Sequence, residues 1–128
     1  MKQEHKELLL KDLCSRLPYG VNVEYDNCVC EVLSIDKYNE ELTIWKSPGC
    51  YSLVVKLEDC KPYLFPFESM TEEQKKELEE LCAEDFMSGI CYFSSDSIDW
   101  LNKNYFDYRD RRLIPLGLAI DATGLNIY

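Results

Sequence analysis

The chain has 128 residues, with 14 Lys and Arg against 24 Asp and Glu, for a net charge of −10. A hydrophobic content of 46% excludes a disordered chain, and 15.0 kDa is enough to bury one core without disulfide or metal staples. The negative charge repels phosphate backbones and anionic lipids, which argues against nucleic acid and membrane surfaces as partners.

The first 17 residues, Met1 to Leu17, carry seven charges, and their longest apolar run is Leu8 to Leu10. That is too short for a secretory leader, and no later stretch is long enough to span a bilayer. Cysteines stand at positions 14, 28, 30, 50, 60, 82 and 91, an odd number. Together these features predict a cytoplasmic protein whose thiols act as small buried hydrophobes. No repeat or Pro/Gly/Ser-rich linker divides the chain, so it reads as one continuous domain, 1–128.

Glu4 to Leu17 is predicted as a helix, with Leu9, Leu10, Leu13, Cys14 and Leu17 at helical spacing and Pro18 and Gly20 ending it. Residues 21–66 read as four to five short strands. Val21 to Tyr25 alternates with period two, and Asp26-Asn27 is a hairpin turn into the β-rich run Cys28 to Ile35. A polar turn over Asp36 to Glu40 leads to a short strand at Leu42 to Trp45, and Ser47-Pro48-Gly49 is the next turn. Tyr51 to Leu57 reads as a strand buried on both faces. Tyr63-Leu64-Phe65, set between Pro62 and Pro66, reads as an edge strand or extended segment.

Thr71 to Ser88 carries the strongest helix signal. Thr71 and Gln74 form a capping box, Leu78, Leu81, Cys82 and Phe86 make one face, and Gly89 is the stop. Its other face holds seven acids against Lys75 and Lys76. A shorter helix is predicted over 96–105, capped by Ser95 or Asp96. An aromatic and basic stretch follows, and then residues 113–128, where only Asp121 is charged. Such an apolar tail must pack on the body or on a second molecule. Strands grouped together and flanked by helices make the class α+β with a mostly antiparallel sheet.

Few residues assemble into a familiar chemistry. Cys28 and Cys30 share one strand face about 7 Å apart, wide for a tetrahedral metal. Adding Cys50 and Cys60 makes a four-thiolate set, but no C-x-x-C pair occurs, and core cysteines are the simpler reading. His5, the single histidine, sits on the polar side of a terminal helix, a poor place for a catalytic base. Asp96 with Asp99, and Asp107 with Asp110, are spaced to share a helix face and a divalent cation, but no calcium-loop pattern surrounds them. Phosphate-binding glycine loops are absent. No catalytic residue, metal or cofactor is assigned.

The segments Ile98 to Asn104, Phe106 to Arg109 and Leu113 to Ile120 resemble the ending of a group of small proteins of gut Bacteroidales and their phages and prophages. Leu17 to Val21, Lys61 to Pro66 and Ser69 to Thr71 are similar to earlier landmarks of the same group. Members often carry a single Gly between the Tyr-Arg and Leu-Ile pairs, where this chain has Asp110-Arg111-Arg112. The resemblance implies a small accessory protein of mobile-element origin and brings no activity with it.

The leading expectation is therefore a non-enzymatic interaction protein binding a protein partner or a second copy of itself. Its candidate surface is Trp100, Tyr105, Phe106, Tyr108 and Arg109 beside the uncharged tail, because aromatics and Arg anchor interfaces. The same residues are also suited to closing the core. Two alternatives remain: an acidic inhibitor that mimics nucleic acid through the 71–88 helix, and a small hydrolase using carboxylates or a thiol.

Overall fold

The computed structural model describes residues 2–46, 49, 51–81, 95–108 and 111–128. It is an α+β arrangement of three helices and a six-stranded, mostly antiparallel sheet. Helix α1 (Gln3–Arg16) leads into β1 (Asn22–Tyr25), β2 (Cys28–Asp36), β3 (Glu41–Lys46), β4 (Tyr51–Lys56) and β5 (Lys61–Leu64). Helices α2 (Glu72–Leu81) and α3 (Ser95–Lys103) follow, and β6 (Ile120–Asp121) lies in the tail. The order across the sheet is β4-β3-β2-β1-β5-β6.

Local chemistry explains most of these elements. Asp26 and Asn27 both take positive φ, 51° and 60°, the geometry of a tight hairpin turn that short polar side chains tolerate. At the next turn the Asp36 carboxylate accepts the backbone N–H groups of Tyr38 and Asn39, each at 3.0 Å. Those bonds hold the Asp36 pKa below the usual carboxylate value. The capping box of α2 is formed in both directions: Thr71 N donates to Gln74 Oε1 at 2.9 Å, and Gln74 N donates to Thr71 Oγ1 at 3.2 Å.

The main core lies between one face of the sheet, α1 and the tail. Val23, Cys30, Val32, Leu42, Ile44 and Val55 point inward and meet Leu9 and Leu13 of α1, with Leu113, Leu118 and Ala119 of the tail. The tail thus packs on its own chain. A second cluster joins Met70, Leu78, Leu101, Phe106 and Tyr108, with Phe65, Phe67 and Trp100 packed against it.

Three expectations need correction. Strand β4 is not buried on both faces: Val55 is covered and Leu53 partly so, but Val54 is 61% exposed, because β4 ends the sheet and nothing described lies over its outer side. Conversely, Tyr63 and Leu64 belong to β5, which is not an edge but lies between β1 and β6. Two prolines do not prevent this because the ladders are short. Val23↔Pro62 and Glu24↔Lys61 join β5 to β1, Tyr63↔Ile120 and Leu64↔Asp121 join it to β6, and Pro66 lies beyond the strand. Helix α3 stops at Lys103 instead of 105, because Tyr105 and Phe106 turn back to bond Asn102 O and Leu101 O. Helix α2 is described to Leu81; the expected face residues Cys82 and Phe86 and the stop at Gly89 lie outside the described residues.

Candidate functional site

The aromatic stretch expected to form a surface is instead used to end α3. Phe106 N donates to Leu101 O at 3.0 Å, and Tyr105 N donates to Asn102 O at 3.3 Å. This is the paired bonding of a Schellman stop, with Tyr105 at the left-handed position (φ 61°) that Gly usually fills. A side chain there costs about 1 kcal/mol of backbone strain. Tyr105 offsets it by stacking on Tyr128 with ring centroids 3.6 Å apart and by donating its hydroxyl to Tyr19 O at 3.0 Å. Phe106 stacks back on Trp100 at 5.6 Å, the apolar contact that accompanies such a stop.

Of the five expected surface residues, Phe106 and Tyr108 are therefore buried. Neither can touch a partner without leaving the fold. Trp100 and Tyr105 are half-buried, and Trp100 Nε1 donates to Glu77 Oε2 at 3.2 Å, tying α3 to α2. Arg109 lies outside the described residues. The structure brings the other four together as packing around the end of α3.

Beneath them is an ion cluster that periodicity did not reveal. Asp12 and Arg16 stand four residues apart on the same stripe of α1 as Leu9 and Leu13, and all four are fully buried. Arg16 Nε and Nη2 meet the two Asp12 oxygens at 2.9 and 3.1 Å, and Nη2 also donates to Phe106 O at 2.6 Å. Arg111 Nη1 donates to the same carboxylate at 2.8 Å, with its guanidinium 3.9 Å from the centre of the Tyr108 ring. The Tyr108 hydroxyl donates to Asn102 Oδ1 at 2.6 Å. The cluster binds α1, α3 and the tail together. Every buried side-chain nitrogen and oxygen among the described residues has a partner. The one sequence signal was the i,i+4 spacing of Asp12 and Arg16 on an apolar stripe.

Other candidates have structural employment. Asp107 accepts the backbone N–H groups of Leu113 and Ile114, both at 3.1 Å, and so starts the tail's turn. Burial raises its pKa despite these bonds. Asp110 lies outside the described residues, so its pairing with Asp107 does too. Cys30 and Cys60 are buried, and burial lifts the Cys60 thiol to about 12. Cys50 lies outside the described residues, and among the described ones no three His, Cys, Asp or Glu side chains converge on a metal position. A cleft of about 460 Å³ opens beside Tyr105 and Tyr128, with Lys103, Gln74 and Thr123 on its walls.

The exposed chemistry is at the β4 end of the sheet. Opposite the core, the outer faces of β2, β3 and β4 present Leu33 (46% exposed), Trp45 (38%) and Val54. Leu33 is the extra residue of a bulge, since Val32 pairs with Ile44 and Ser34 with Thr43. Thr43 pairs with Val54 and Trp45 with Ser52, so these side chains adjoin across three strands. Strand β4 pairs with β3 over six positions and with no described strand on its other side. Among the described residues no helix is long and apolar enough to cross a membrane. No family model, no curated protein and no solved structure matches this chain, so its functional reading rests on this geometry.

Proposed function

We propose that the chain is a small non-catalytic interaction protein that docks a polypeptide at the β4 end of its sheet. The observation that carries this reading is Val54, 61% exposed in the middle of an edge with no described partner strand, on the same sheet face as Trp45 and Leu33. Exposed apolar side chains next to backbone with no described partner strand suit a protein-binding face. An accessory role also fits the resemblance of its landmarks to small phage and prophage proteins. The expected interface at the end of α3 moves to the sheet because its rings are engaged internally.

A nucleic-acid mimic draws less support. Glu72 is paired with Lys75 at 3.5 Å, and Glu77 accepts from Trp100, so the described part of the acidic face is interrupted.

A photo-crosslinking residue at position 54, compared with one at Tyr38 (95% exposed, in a polar turn), tests the docking reading in the living host. Polypeptide adducts at 54 and not at 38 are expected. No adduct at 54, or equal adducts at both positions, overturns it.

A further inference from the structure

We infer that the polypeptide received at this end of the sheet is a second copy of the chain, paired antiparallel along β4; the inference rests on the docking reading above. The two ends of the sheet differ in how they are guarded. Natural edges are blunted by shortness, proline, bulges or inward charge. The β6 edge is two residues long and contains Asp121. Among the described residues strand β4 has few of these devices: it is six residues, Tyr51 to Lys56, with no proline, an unshifted register to β3, and a single charge, Lys56, at its last position.

Self-pairing also satisfies symmetry and charge. A two-fold axis normal to the sheet makes one residue its own partner and keeps both cores on the same side. With the axis at Val54, Val54 meets the partner's Val54 on the outer face. Leu53 meets the partner's Val55, and Ser52 meets the partner's Lys56. No like charges are opposed. The two Lys56 ammoniums fall about 13 Å apart, beyond the screening length of about 8 Å at physiological salt, and each sits across from Glu41 of its own chain. Helix α2, which carries five glutamates, packs against α3 instead, and the residues after α3 adjoin the β5 end through Phe106 and Phe65. Strands β3 and β4 together hold Glu41, Lys46 and Lys56, a net of +1 in a chain of −10. Repulsion between copies is thus low along these two strands compared with the chain's average. A six-residue edge with its flanking side chains buries about 500 Å² per copy, the small end of interface sizes, so the dimer is reversible and dilution dissociates it.

Sedimentation velocity of the purified full chain, from low to high micromolar, is the test. The expected result is a monomer–dimer equilibrium that shifts toward dimer as salt is raised, since net repulsion is screened. Val54→Lys places two ammoniums opposite each other and is expected to weaken association at least about tenfold. Mixing Val54→Lys with Val54→Glu chains is expected to restore it. A second measurement does not depend on those variants folding: a photo-crosslinker at position 54 of the pure protein yields a dimer whose linked peptide maps within 51–56. A wild-type chain that stays monomeric throughout overturns the inference. So does a dimer that survives both charged variants or crosslinks elsewhere. If the pure chain is monomeric while position 54 captures a different polypeptide in the host, self-pairing fails and the docking reading stands.

Discussion

At its β5 end the sheet runs on into other parts of the chain. After Leu64 the ladder passes from the tail to the residues following α3: Ala122 N donates to Leu64 O at 2.9 Å, Phe65 N to Tyr105 O at 2.8 Å, and Asp107 N to Phe65 O at 2.8 Å. Tyr128 closes the seam, with its hydroxyl donating to Tyr63 O and accepting from Asn22 N. At the β4 end no described strand pairs beyond β4, and Val54 on its outer face is exposed. One end is consumed by stability; the other is the end proposed for docking. Substitutions at the two ends should therefore separate folding from association.

The largest effect is expected at the closed end. Asp12→Ala strips the shared carboxylate from two guanidiniums and leaves Arg16 charged and buried. Breaking a buried pair in this way costs about 3–5 kcal/mol, readable as a lower urea midpoint, with self-association per folded chain unchanged. A loss under 1 kcal/mol would mean that the cluster is not buried as described.

High pH attacks the same end. Burial raises the hydroxyl pKa of Tyr63, Tyr105, Tyr108 and Tyr128 above the ordinary value of 10.0. The folded chain holds these protons where the unfolded chain releases them. Their contribution is complete below pH 10 and declines as pH rises through the folded values. Urea midpoints at increasing pH should fall beyond pH 10, and Tyr128→Phe should make the fall shallower.

A smaller loss, about 1 kcal/mol, is expected from Thr71→Ala, which removes one half of the capping box; thermal unfolding measures it. Thiol labelling of the native chain should find Cys60 the slowest of the described cysteines, because burial holds its thiol protonated up to about 12. On the outer face, Leu33→Ser should change folding stability by no more than about 0.5 kcal/mol while weakening capture of a docked polypeptide and leaving self-pairing along β4 unchanged. A large folding loss there would show that the outer face is covered in solution, and the contrast between the two ends would collapse.

How much of this was legible depends on distance along the chain. The Thr71–Gln74 box, the Asp26-Asn27 turn and the alternation of β1 involve near neighbours, and each is read from a few letters. The stripe of α1 was half legible. Leu9 and Leu13 declare it, but nothing local marks Asp12 and Arg16 as part of it, because charges are buried only when something distant neutralises them. The aromatics of 100–108 were ambiguous for a related reason, since rings suit an interface and a core equally well. Strand β6 was missed because two residues carry no periodicity.

The residue order by itself determined the class, the helices and the hairpins, because capping bonds and φ preferences act over three or four positions. Only the tertiary structure decided which end of the sheet was sealed and which charges were buried. Arg16 finds Phe106 O 90 residues away, and Arg111 finds Asp12 across 99. Contacts of that range depend on which surfaces arrive together, and no local pattern encodes it.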